Sequence, residues 1–91
     1  MSAYKLDYTF RPDASGDQVL DFKITPSNVD GSFKMLVPLY LELDNGKMSM
    51  LGRAHVSGTT PMQARVPLKG MKIAPHRAVL NYYDDVLASP N

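Results

Sequence analysis

Apolar and polar residues alternate along most of this chain. Tyr4, Leu6, Tyr8 and Phe10 are separated by Lys5, Asp7 and Thr9, and a period of two places them on one face of a strand. The stretch PDASGD at 12–17 interrupts the alternation with turn chemistry: Pro12 fixes φ, Gly16 permits positive φ, and the Asp and Ser side chains can bond nearby amides. QVLDFKI then resumes it, with Leu20, Phe22 and Ile24 set against Asp21 and Lys23. TPSNVDGS at 25–32 breaks it again and predicts a long connection.

The next stretch, FKMLVPLYLEL, carries the longest apolar stripe. Phe33, Met35, Val37, Leu39, Leu41 and Leu43 share one face, while Leu36 and Tyr40 partly cover the other. Pro38 lies in its middle and has no N–H for a ladder, which predicts an edge position, a bulge or a strand changing sheets. Asp44-Asn45-Gly46 is a hairpin signal. The return strand KMSMLGRAHV shifts register near Gly52, consistent with a bulge. SGTTP turns again, and MQARVPL alternates Met62, Ala64 and Val66 against Gln63 and Arg65. KGMKIAP reads as a loop with an apolar plug, and HRAVLNYY as a last strand. The methionines Met35, Met48, Met50, Met62 and Met71 read as core filler. Six to seven strands with a turn about every ten residues predict an all-β chain, an antiparallel β-sandwich, with a small barrel as the alternative. Residues 1–91 read as one domain. The helical candidate, YYDDVLAS, is too short to stand alone.

Composition narrows the functions available. Ten basic residues face nine acidic ones, and the basic ones are scattered, so no phosphate-tracking surface forms and nucleic acid is not an expected partner. No apolar run approaches the roughly 20 residues of a membrane-spanning helix, so no membrane partner is expected either. There is no cysteine, which removes disulfides, thiolate metal sites and cysteine nucleophiles. It is compatible with both cytosol and periplasm.

Each catalytic constellation lacks parts. No Gly-x-Ser-x-Gly elbow accompanies the serines, and His55 and His76 cannot make a zinc site without further ligands. His55, between Ala54 and Val56, reads as a solvent-facing strand residue. Asp84 and Asp85 are adjacent, so in extended chain they point to opposite faces and cannot share a substrate proton. Calcium would need six to eight oxygens. The pair reads instead as turn chemistry across 82–85, with Val86 and Leu87 tucked back as a plug. The residues alone therefore describe a non-catalytic β-domain without a cofactor. An independent carbohydrate- or peptide-binding module, using Tyr40, Tyr82 and Tyr83 as an aromatic platform, is the competing reading.

Four stretches add a resemblance. YKLDYTFRPDASGDQVLDFKI, FKMLVPLYLEL, LGRAHVSGTTPMQARVPL and APHRAVLNYYDDVLA together resemble the C-terminal β-domain of bacterial zinc aminopeptidases of the aminopeptidase N type. The matching positions are Phe33, Lys34, Val37, Pro38 and Leu43, then Pro75, Val79, Leu80, Asn81, Val86, Leu87 and Ala88. The resemblance implies an immunoglobulin- or fibronectin-III-like sandwich that packs as an accessory scaffold against other domains of a longer parent protein. That family's catalytic body carries H-E-x-x-H, a further Glu ligand, a catalytic Tyr and a Gly-x-Met-Glu-Asn loop. None of these occurs here, so no catalytic role passes to any residue of this chain, and zinc is expected only in the catalytic body. The residues expected at the interdomain contact are Leu36, Tyr40, Met71, Ile73, Tyr82 and Tyr83, since exposed apolar surface on a small domain marks a contact.

Overall fold

The computed structural model describes residues 4–27 and 34–80. The expected turn at 82–85 and the plug at Val86 and Leu87 lie outside the described residues. Six strands are present among them: β1 (Tyr4–Pro12), β2 (Gln18–Pro26), β3 (Lys34–Glu42), β4 (Met48–Ser57), β5 (Met62–Leu68) and β6 (Arg77–Leu80). No helix occurs among the described residues.

The strands form two antiparallel three-stranded sheets, ordered β1-β2-β5 and β4-β3-β6. Hairpins join β1 to β2 and β3 to β4, and every other connection passes from one sheet to the other. Both hairpins close in the same way. Gly16 N–H donates to the Asp13 carbonyl at 3.1 Å and Gly46 N–H to the Leu43 carbonyl at 2.9 Å, with φ of 88° and 80° at the two glycines. The Asp44-Asn45-Gly46 hairpin therefore spans three residues, with Gly46 in the left-handed region that closes such a loop.

The alternation seen in the sequence decides what is buried. Leu20, Phe22 and Ile24 of β2 meet Val37, Leu39 and Leu41 of β3, Ala54 and Val56 of β4, and Leu68, Ala78 and Leu80 in one continuous core. Leu20, Ile24 and Val37 are fully buried. Tyr4, Leu6, Tyr8 and Phe10 are half-buried against that core, and Phe10 meets Tyr8 edge-on with ring centroids 5.5 Å apart. Two sheets closing over a shared core are consistent with a small β-sandwich.

Pro38 sits one step from a bulge, one of the expected devices. β3 is the central strand of its sheet, so it is not an edge strand as a whole. Its described pairing with β6 runs from Leu39, opposite Leu80, to Glu42, opposite Arg77. On the β4 side Pro38 faces Arg53, and the register slips one step later, where Leu39 faces Gly52 but Tyr40 faces Met50. Leu51 is the extra residue of this bulge, next to the glycine that the sequence singled out.

The methionines depart from the expected core filling. Met62 and Met71 pack against the core as half-buried residues, but Met35 and Met50 are exposed. Met50 lies opposite Tyr40 on the outward side of the sheet, and the bulge at Leu51 follows it.

Candidate functional site

The polar chemistry of the chain is concentrated in ion pairs that tie strands and loops together. On the outer face of the first sheet, Asp21 of β2 accepts from Arg11 Nε of β1 at 2.7 Å and from Arg65 Nε of β5 at 2.9 Å. One carboxylate thus bridges all three strands. The Arg11 guanidinium, with Arg65 second, holds the Asp21 carboxyl below its ordinary value of 3.8.

A second cluster occupies the β1–β2 turn. Asp13 Oδ1 accepts from Ser15 Oγ at 2.7 Å, Ser15 N–H at 2.8 Å and Asp17 N–H at 3.1 Å. Lys72, from the loop at 69–76, reaches over this turn and donates to the Ser15 carbonyl at 3.1 Å. Its ammonium also lies 2.9 Å from Asp17 Oδ1, a shielded oxygen with no well-aligned donor, so this contact is an ion pair more than a directional hydrogen bond. The hydroxyl of Ser15 depresses the Asp13 carboxyl, and the Lys72 ammonium depresses that of Asp17. The pattern Asp13-x-Ser15-x-Asp17 places three oxygen-bearing side chains on one turn, but the Lys72 ammonium already lies against it. No group of three metal-ligating side chains converges among the described residues.

All three carboxyls titrate below their ordinary range, so the sign of the pH effect is fixed. Their stabilisation is fully present above about pH 3.8 and is lost as pH falls from there through the depressed folded values. Urea midpoints should stay level from pH 7 to 5 and fall below pH 4. In the Lys72→Met variant the acid fall should be shallower, because the Asp17 carboxyl rises toward its ordinary value. An identical pH profile for the variant would remove Lys72 from this role.

The histidines are both exposed and lie apart from each other. His55 lies on the outward face of β4, opposite Leu36, as the sequence implied. His76 Nε2 is 3.2 Å from Asp44 Oδ1, and its N–H donates to the Glu42 carbonyl at 2.8 Å. Glu42 in turn accepts from Arg77 Nε. These contacts fix the 69–76 loop beside the β3–β4 turn.

The residues expected at an interdomain contact divide. Leu36 is 51% exposed and Ile73 71% exposed. Met71 is half-buried and packs against the core, so it is the plug of its loop. Gln18 N–H donates to the Met71 carbonyl at 2.8 Å and pins the plug in place. Tyr40 is buried at 3% exposure, so it offers neither a contact surface nor a stacking platform. Tyr82 and Tyr83 lie outside the described residues.

Sequence reading missed an apolar cleft of about 220 Å³ between the two sheets, on the side where strands β4 and β5 form their edges. Phe22 and Leu39 form its floor, Leu51 and Gly52 one wall, and Ala64 and Val66 the other. The small side chain of Ala64 and the absent one of Gly52 leave the space open, and nothing approaches within 4 Å of a Cβ built on Gly52. A glycine and an alanine at inward positions of two alternating strands were the available signal.

Compared with protein-family models, curated proteins and solved structures, the chain finds no match.

Proposed function

We propose that this chain is a non-catalytic accessory β-domain, of immunoglobulin or fibronectin-III-like type, that packs against the catalytic body of a zinc-dependent aminopeptidase. The observation that carries the reading is exposed apolar surface on an otherwise polar domain. Leu36 and Met35 lie toward one end of β3, and Ile73 stands beside the turn at its other end. Burial of these side chains under another body would be worth about 1.5–3 kcal/mol for each one fully enclosed. The strand order supports the fold type. β1-β2-β5 facing β4-β3-β6 is the order expected of an A-B-E sheet over a C′-C-F sheet.

The role assigned to the domain is mechanical: it presents a rigid, salt-bridged face and leaves chemistry to the partner body. Two measurements test this. The coding sequence upstream should encode H-E-x-x-H followed by a further glutamate ligand, in frame with Met1. Purified 91-residue chain should contain no stoichiometric zinc and release no amine from aminoacyl arylamides. Equimolar zinc, hydrolysis by the chain alone, or a stop codon directly ahead of Met1 would each overturn the reading.

A further inference from the structure

We infer that the edge of β4 at residues 52–57 is a docking site for an extended acidic segment, which adds to the sheet as a strand and sends an apolar side chain into the neighbouring cleft. This goes beyond the accessory role above and stands whether or not the parent is a peptidase.

The edge itself is the first observation. β4 pairs with β3 on one side and with no strand on the other among the described residues. Its outward backbone N–H and carbonyl groups form a row that an added strand can satisfy. The other edges are guarded. β5 contains Pro67, β1 ends in Pro12 and carries charges of both signs, and β6 has four residues among those described. β4 has ten residues and no proline. Its bulge lies at Leu51, so the regular part of its edge runs from 52 to 57, paired without a break to Leu39 through Lys34.

The second observation is what flanks that edge. On the inward side, Gly52 and Ala54 border the apolar cleft. On the outward side stand Arg53 and His55, both exposed. Arg53 has no ion-pair or hydrogen-bond partner among the described residues, whereas Asp21, Glu42 and Asp44 are each engaged by a cationic or imidazole group. Neither β4 nor β5 contains an acidic residue.

Together these fix the chemistry of the occupant. A strand laid against residues 52–57 alternates its side chains between the two faces. Those opposite Gly52 and Ala54 enter the cleft and must be apolar. Those opposite Arg53 and His55 face a cation and an imidazole, and acidic residues complement them. The recognised pattern is therefore apolar-acidic-apolar-acidic in extended chain. A second copy of β4 fits poorly, because antiparallel self-pairing sets basic groups against basic groups with no acid on either strand.

The probe is a blocked hexapeptide alternating leucine with glutamate, titrated into the ¹⁵N-labelled full chain. Saturable amide shifts should appear at residues 52–57 and at Ala64 and Val66. Arg53→Glu should weaken binding about tenfold and transfer preference to the leucine–lysine counterpart. Ala64→Phe, which fills the cleft, should abolish binding, and N-methylation of alternate peptide bonds should do the same. The inference is overturned by an absence of saturable shifts up to millimolar peptide, by equal binding of the glutamate and lysine peptides, by shifts centred on another edge, or by a β4-mediated dimer that the peptide does not displace.

Discussion

Truncating Leu20 to alanine is expected to lower the unfolding free energy by about 3 kcal/mol, within the 2–5 kcal/mol span of buried leucine truncations. Leu20 is fully buried in the central strand of the first sheet, in register with Phe10 on one side and Val66 on the other. The groups around it are held in two sheets by backbone ladders and cannot collapse freely into the space left behind. A domain of this size has a stability of order 5–10 kcal/mol, so such a loss is a large share of it. Leu39→Ala, in the central strand of the opposite sheet and 4% exposed, should cost a comparable amount. Both variants should shift one urea transition, with tyrosine fluorescence and far-ultraviolet circular dichroism coincident. Two separated transitions, one for each variant, would mean that the sheets do not share a core.

Lys23→Pro should be as damaging, at about 3 kcal/mol or more, though the side chain it replaces is exposed. Lys23 sits in the middle of β2, opposite Asp7 of β1 and Gln63 of β5. With a strand on each side, its N–H faces a ladder in either direction, and the proline ring removes that donor. Lys23→Thr retains the N–H and should change stability by less than about 0.5 kcal/mol. Comparing the two urea midpoints isolates the backbone contribution. Equal midpoints would show that the central ladder tolerates a missing donor there.

The alternation exposed most of the fold in advance because strand burial depends on parity, and parity is written directly into the sequence. Leu20, Phe22 and Ile24, or Val37, Leu39 and Leu41, could only lie on one side of a sheet. The bulge was also legible, since Gly52 breaks the parity of its strand. Exposure was harder to read. Leu36 and Tyr40 occupy the same parity in β3, yet one is half exposed and the other buried, because burial on an outer face depends on what lies above it. The Lys72 clamp joins residues 55 positions apart from Asp17 and has no local signature. The cleft beside β4 likewise arises from the pairing of two small residues on different strands, which periodicity within either strand does not reveal.

Pro38 has a bearing on the chain before it folds. Residues 35–41, Met-Leu-Val-Pro-Leu-Tyr-Leu, contain no charge and are apolar at every position apart from the proline. A seven-residue window of that composition is the type that stacks into cross-β assemblies when several unfolded chains meet. The ring that leaves Pro38 without a ladder N–H in β3 also withholds that donor from any intermolecular stack built on this segment. The irregularity at the centre of the sheet thereby acts as a gatekeeper, protecting the most aggregation-prone stretch of the protein during the interval when nothing else covers it.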